Sequence, residues 1–377
     1  MEIALVNARV LLPQGLRDDL AVTIADGRIR SVSSEPPEGA TIVDCGGDML
    51  LPGFIDTQVN GGGGVLFNDA PTVETIATMA AAHRRYGTTG MLPTLISDDL
   101  SVVEAGIAAV DAAIEQGVPG VLGIHIEGPF LSFARRGIHD AARLRKIDRE
   151  AIRLLSSARH GRTLVTLAPE CVEPGDVAAL AEAGVVVAAG HSEADYDTVR
   201  RAIGEGLTGF THLFNAMSPL VNRAPGMTGA ALEDDGVTAG LIVDGHHVHP
   251  AVIRIALKAK GHERLMLVTD AMALTGTQED HFILQGRHIR RDGDRLVDAA
   301  GTLAGSTLTM NAAVRNMIAE TGVDLRRAVA MASSTPAAFL GLSERTGTIA
   351  PGLSADLVLV DKDWQVKRSW IAGREAA

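Results

Sequence analysis

The chain has 377 residues, of which 46% are hydrophobic, 21% charged and only 3% aromatic. This composition excludes a disordered or fibrous chain and describes a globular protein whose core is built from Val, Leu, Ile and Ala. Lys and Arg number 34 against 46 Asp and Glu, a net charge of −12, so no nucleic-acid or membrane partner is expected, and any anionic ligand must be met by a few placed residues.

The first fifty or so residues read as short strands: Ala21–Ile24, the turn Asp26-Gly27, then Arg28–Val32, a hairpin signature. The chain's end reads the same way, with strands at Asp356–Val360 and Trp370–Gly373. We expect one small β-sandwich domain assembled from both termini, residues 1–51 and 347–377. Between them apolar runs of strand length alternate with helical stretches. The runs are Gly53–Gln58, Gly90–Leu95, Val121–Glu127, Thr163–Ala168, Val185–Gly190, Gly209–Leu213, Ala239–Asp244 and Leu265–Asp270. Helical patterns cover Val73–Tyr86, Val102–Glu115, Arg149–Ala158, Asp176–Ala183 and Ala251–Lys260. Continuous apolar runs are the mark of parallel strands covered on both faces. Eight such units predict an α/β fold, a (β/α)8 TIM-type barrel over residues 52–346. The stretch Thr275–Gly301 breaks the alternation and reads as an inserted β-hairpin.

Two cysteines, Cys45 and Cys171, make neither a disulfide framework nor a zinc-thiolate site. No run approaches the roughly 20 apolar residues of a membrane span. The start, Met1 to Leu5, has no basic region before an apolar one, so a cytoplasmic location is expected.

In such a barrel the active site gathers at the carboxyl ends of the strands. There the chain carries Glu127, His191 and His212, one carboxylate and two imidazoles, a donor set for catalytic zinc that leaves a position for water. A histidine closing an apolar run also reads as a hydrogen-bonded core residue, and Glu127 as the partner of an Arg. Asp270 closes the eighth run and reads as a general base toward water activated by the metal, or as a helix N-cap. Gln58 and Asn60 stand at alternate positions after the first run. Neutral amides are weak ligands and good hydrogen-bond partners, so we expect one divalent ion per chain, zinc first, with iron, cobalt or manganese accepted by the same donors. Gly61–Gly64 offers either close backbone approach to a ligand or a flexible turn. Arg223, in a loop, suits phosphate through its planar fork or is simply a surface residue. His247 is a ligand contact or a loop residue. His139 polarises a carbonyl or is exposed.

Certain segments together resemble the N-acetylglucosamine-6-phosphate deacetylases, a branch of the amidohydrolase superfamily. They are Leu51–Asp56, Asn60–Gly64, His125–Pro129, Gly190–Ser192, Thr211–Met217, Val268–Ala271 and Gly301–Ser306. The pairing of Thr211–Met217 with Glu127-Gly128-Pro129 is the specific part; Pro52-Gly53 with the following Asp56 is shared across the superfamily. The resemblance implies hydrolysis of the acetamide of an N-acetylated sugar 6-phosphate in amino-sugar catabolism. By it, Glu127, His191 and His212 hold the metal, Asp270 is the catalytic base then acid, and His139 polarises the carbonyl. It places Ile138, His139, Asn215, Ala216, Arg223, Asp244, His247, Leu303, Ala304 and Gly305 at the sugar phosphate, and the amide of Gln58 is expected on its own chemistry near the metal or substrate. It also implies a homodimer in which Arg223 reaches the neighbour's phosphate. Relatives with a His-x-His pair after the first strand hold a second metal; Gln58 and Asn60 stand there instead.

Three rivals remain. One is a deacetylase for the galactosamine epimer or another N-acetyl amino-sugar phosphate. Another is a cyclic-amide hydrolase, although the fourth-strand region, Thr163–Glu170, lacks the lysine such enzymes often carboxylate. The last is a non-catalytic scaffold on the same fold, disfavoured because Glu127, His191, His212 and Asp270 are all present.

Overall fold

The structure, a computed structural model, describes residues 2–376. Met1 and Ala377, the two ends of the expected terminal domain, lie outside the described residues. Eight parallel strands run in chain order: Phe54–Val59, Thr88–Ile96, Gly123–Glu127, Arg162–Leu167, Val186–Ala189, Gly209–Phe210, Thr238–Leu241 and Leu265–Leu267. Each coincides with one of the eight apolar runs. Every residue of the first three is buried, because one face fills the barrel and the other meets the helices.

Each strand is followed by a helix that packs back on the sheet. The first seven helices are Val73–Arg84, Leu100–Glu115, Arg149–Leu155, Asp176–Glu182, Tyr196–Gly204, Gly226–Glu233 and Pro250–Lys260, and Met310–Thr321 follows the eighth strand. Several start where a side chain satisfies a free N–H: Thr72, Asp148 and Asp195 accept from Thr75, Ala151 and Thr198. Leu325–Ala332 and Ser334–Phe339 complete the helical layer.

The barrel closes through residues beyond the strand ends. Asp270 donates its N–H to the Gln58 carbonyl at 3.0 Å, and Asn60 donates to the Ala271 carbonyl at 2.9 Å. A single parallel bridge joins Val59 and Ala271. The seam between first and last strands is therefore sewn by residues singled out above for their chemistry.

The strands near both termini form one mixed sheet. Its order is Arg374–Glu375, Val366–Ile371, Leu357–Val360, Met49–Pro52, Ile3–Leu12, Gly15–Ala25, Arg28–Ser33, with Thr41–Asp44 beside Ile3–Leu12. Side-chain alternation decides which core each residue joins. Leu357, Leu359 and Leu50 pack with Trp370 in the sheet's own core, whereas Val358, Val360 and Leu51 join the barrel core.

The inserted segment is larger than the hairpin read from the sequence. It is a four-stranded antiparallel sheet, His281–Leu284, Arg287–Asp292, Arg295–Val297 and Leu303–Ser306. The last strand is four residues, three of them small (Ala304, Gly305 and Ser306), too weak a pattern to read alone. Its core, Leu284, Ile289, Leu296 and Ala304, packs on Leu66, Ile96 and Met272 beside the carboxyl ends of the barrel strands.

Gly123 opens the third strand at φ +153°, and a Cβ there would sit 1.9 Å from the Arg162 carbonyl oxygen. The obstacle is backbone and cannot swing away. Gly123→Ala should cost about 3 kcal/mol in urea unfolding. Gly286→Ala, in a turn at φ +80° with nothing within 4 Å, should cost about 1 kcal/mol. Equal losses would contradict the tight ladder contact.

Candidate metal centre and active site

Glu127 ends the third strand, and His191 and His212 lie just beyond the fifth and sixth. Both histidines, and Asp270 after the eighth strand, have left-handed backbone, with φ of +50°, +33° and +51°. Such conformations cost a non-glycine residue about 1–3 kcal/mol, and here they coincide with the residues that converge. Glu127 Oε1 lies 3.2 Å from His191 Nε2 and 3.0 Å from His212 Nε2, and the two Nε2 atoms are 3.0 Å apart. All three residues are buried.

Hydrogen bonds fix which nitrogens can act as ligands. His191 Nδ1 lies 2.8 Å from the Arg135 carbonyl, which only accepts, so that nitrogen carries the proton and Nε2 presents a lone pair. His139 is the reverse. The Ser97 N–H donates to its Nδ1 at 3.2 Å, with the Ser97 hydroxyl at 2.8 Å. Its proton therefore sits on Nε2, which is a donor. His139 is near enough to be a fourth candidate, since Glu127, His139 and His191 each place one donor atom within 4.8 Å of the others. Burial above all pushes the His139 imidazole down to about 3, so it stays neutral and keeps that N–H.

A carboxylate oxygen and two imidazole lone pairs packed this closely repel one another without a cation between them. The donor set fits a divalent metal ion, and a divalent cation bound there supplies Lewis acidity and lowers the pKa of a coordinated water toward about 7. Without a metal, a proton takes its place. Burial works against the Glu127 charge, yet His191 and His212 hold its carboxyl well below the usual range. Burial likewise works against a charged His212, yet Glu127 raises it. Metal and protons thus compete for the same atoms.

Asp270 faces this centre. Its Oδ1 accepts from Gln58 Nε2 at 3.2 Å and from Asn60 Nδ2 at 2.6 Å. Burial, then the Glu127 charge, push its carboxyl up to about 6, a value suited to taking and returning a proton near neutrality. Gln58 also donates to both Glu127 oxygens, at 3.2 and 3.1 Å, so it is a hydrogen-bond bridge between the two carboxylates. Behind them, fully buried Asp56 accepts from the Thr269 hydroxyl at 2.5 Å and from the Gln58 and Thr269 N–H groups. Burial pushes Asp56 up to about 7.

The centre opens into a cavity of about 240 Å³, the size for a small molecule rather than a polymer. It is lined by Glu127, His139, His191, His212 and Asp270, and by Ile138, Asn215, Ala216, His247, Leu303 and Gly305 from the expected set. Asp244 stands behind His247, its Oδ2 accepting from Nδ1 at 2.6 Å, which leaves the His247 Nε2 free. Gln58 and Ala304 are buried beside the wall rather than in it. Arg223 lies in the exposed stretch 219–225 and does not line the cavity, and among the described residues no Lys or Arg does. The sequence reading missed Ser97, which sets the His139 tautomer, and the roles of Asp56 and Thr269. The inserted sheet also reaches the site: Gln285 donates to the Ser97 carbonyl at 2.9 Å and Arg287 to the Ile138 carbonyl at 3.1 Å.

Comparison with known proteins agrees with this geometry. The Amidohydrolase family profile matches residues 49–376. The chain belongs to the amidohydrolase family. An N-acetylgalactosamine-6-phosphate deacetylase of a Shewanella species is 45% identical over 97% of this chain and 94% of its own. The crystal structure of N-acetylglucosamine-6-phosphate deacetylase from Pasteurella multocida superposes with a TM-score of 0.97 at 33% identity, covering both chains fully. A Mycobacterium smegmatis N-acetyl-D-glucosamine-6-phosphate deacetylase, an aspartate-to-alanine mutant bound to N-acetyl-D-glucosamine-6-phosphate, gives 0.91 at 37%, over 100% of this chain and 98% of that one. All three of these similar proteins are named as deacetylases of an N-acetylated amino-sugar 6-phosphate, and the donor groups of this chain are close enough together to hold a metal ion. Among the described residues, no helix is long and apolar enough to cross a membrane.

Asp56 gives the site a pH signature. It ionises near 3.9 in an unfolded chain and near 7 when folded, so its penalty is absent below pH 4, grows as pH rises, and is complete above 7. Asn in its place carries no such penalty. In chelator-treated protein, the stability of Asp56→Asn relative to the parent should improve by about 2–3 kcal/mol between pH 5 and pH 8. A pH-independent difference in urea unfolding would contradict the buried, protonated carboxyl.

Proposed function

We propose that the chain hydrolyses the acetamide of N-acetyl-D-glucosamine 6-phosphate to D-glucosamine 6-phosphate and acetate. The observation that carries this reading is the meeting of Glu127, His191, His212, His139 and Asp270 at one small cavity. Glu127, His191 and His212 hold one divalent cation, zinc by the donor set. The His139 tautomer assigns it to the substrate rather than to the metal.

In the reaction Asp270 takes a proton from the attacking water as its oxygen bonds to the acetamide carbon. The His139 Nε2–H donates to the carbonyl oxygen as negative charge develops there. Asp270 then returns the proton to the amide nitrogen, because an amine leaves and an amide anion does not. The C–N pair stays on nitrogen. Gln58 keeps the two carboxylates in register throughout.

Asn215, Ala216, His247 with Asp244, Ile138 and Leu303–Gly305 surround the sugar phosphate in this reading. The cavity has no cation of its own chain in its wall, and Arg223 stands exposed on a neighbouring loop. That arrangement favours a homodimer in which Arg223 meets the partner's phosphate. A phosphorylated sugar is retained inside cells, which favours a cytoplasmic enzyme. One observation favours a second reading, the galactosamine epimer: the 45% identity to the Shewanella N-acetylgalactosamine-6-phosphate deacetylase.

A panel of N-acetylhexosamine 6-phosphates, scored by free amine released, tests both. The glucosamine derivative should turn over, a chelator should abolish turnover, and Asp270→Asn should lose roughly 10²-fold or more in kcat. Preference for the galacto compound would move the assignment to the epimer. Release unaffected by chelation, or normal turnover by Asp270→Asn, would contradict the mechanism.

A further inference from the structure

Two segments meet at the His139 ring. The Ser97 N–H and hydroxyl both reach its Nδ1, at 3.2 and 2.8 Å. The His139 N–H donates to the Arg136 carbonyl at 3.0 Å. Ser97 follows the second barrel strand, and His139 lies in the loop after the third, so neither is held by a strand or helix ladder. A side chain carried on such backbone keeps a catalytic geometry only if neighbouring groups fix it.

The inserted sheet grips both segments. Ile96 and Ile138, the residues before Ser97 and His139, pack against its core. At its tip the turn Gln285-Gly286 joins His281–Leu284 to Arg287–Asp292. Gln285 Nε2 donates to the Ser97 carbonyl at 2.9 Å and to Asp98 Oδ2 at 3.2 Å. Arg287 donates to the Ile138 carbonyl at 3.1 Å. Neither side chain lines the cavity.

Gln285 is an unfavourable residue for its own turn. The φ angles of Gln285 and Gly286 are +48° and +80°, and a two-residue hairpin turn of that kind favours Asn-Gly or Asp-Gly. Both neighbours of the Gln285 amide can only accept, so the nitrogen must face them. That leaves Oε1 buried without a hydrogen-bond partner among the described residues, a further cost. Asn would suit the turn, yet its amide is one methylene too short to reach Ser97. The extra length of Gln therefore serves the contact with Ser97 and not the turn.

We propose that Gln285 and Arg287 are positioning residues for the reaction: the tip of the inserted sheet holds Ser97 and Ile138 so that the His139 Nε2–H stays aimed at the acetamide carbonyl. This rests on the deacetylase reading above. Both residues act through His139, so removing either should matter only while His139 is present.

A double-mutant cycle tests this. Gln285→Asn, Arg287→Ala and Arg287→Lys are each made in the parent and in His139→Ala. Acetate release from N-acetyl-D-glucosamine 6-phosphate, metal content and urea unfolding midpoint are measured for all. Gln285→Asn and Arg287→Ala should each lose roughly 10-fold in kcat with KM changed less than about 2-fold, and in the His139→Ala protein less than about 2-fold in kcat. Metal content should stay at the parent's level, and the midpoint of Gln285→Asn should not fall, because Asn relieves the turn. Arg287→Lys keeps a donor and should recover most of the Arg287→Ala loss. Unchanged kcat in Gln285→Asn, equal losses with and without His139, or a loss that follows metal content or midpoint would overturn the assignment and leave the contacts structural. A parent that releases no acetate from any N-acetylhexosamine 6-phosphate would instead remove the deacetylase reading, and this role with it.

Discussion

Three electron-rich atoms held within 3.2 Å of one another are the constraint around which the molecule is arranged. Glu127 Oε1 and the Nε2 atoms of His191 and His212 come from three different strands. Their mutual repulsion in a dry interior must be balanced by a positive charge, either a metal ion or protons. The barrel supplies the rigidity that keeps them together. Left-handed backbone at His191, His212 and Asp270 is strain the fold sustains at the same place. Left to relax, the strand ends would release both the strain and the crowding.

The carboxylates show how one interior supports opposite protonation states. Glu127 sits among imidazoles and is held ionised despite its burial. Asp270, one bridge away through Gln58, feels Glu127 as a like charge and rises to about 6. Asp56, deeper still, rises to about 7. The three form a gradient from a group suited to binding a cation, through a group suited to moving a proton, to one that ties the barrel seam. Asp56 holds both Gln58 and Thr269, the residues flanking that seam, so barrel closure and the placement of Asp270 depend on the same few hydrogen bonds.

Much of this was legible in the sequence because it is periodic or local. Both faces of a barrel strand are covered, so each of the eight strands is an unbroken apolar run, and the residue ending that run is at the active end. Glu127 and Asp270 end such runs, His191 follows one and His212 lies within one, so the barrel register marked all four as candidates while core and capping roles stayed open to them. Segments with short or mixed patterns were harder. Leu303–Ser306 becomes a strand only because Arg295–Val297 pairs with it, which turns an expected hairpin into a four-stranded sheet. Contacts between distant segments were not legible at all. Ser97 and His139 are 42 residues apart, and nothing near either one signals that the N–H of the first sets the tautomer of the second. Arg223 illustrates the opposite difficulty: its chemistry suits phosphate, yet its loop is exposed and it does not line the cavity, so residue type alone does not place a side chain at a site.

The decisive property is how many imidazoles share the cation. X-ray absorption at the metal edge of the purified protein, combined with its metal content, measures this directly. One ion per chain with two histidine ligands and otherwise oxygen neighbours is the expected result. Two ions per chain, or a third imidazole drawn from His139, would contradict the assignment of His139 to the substrate carbonyl and, with it, the division of labour at this centre.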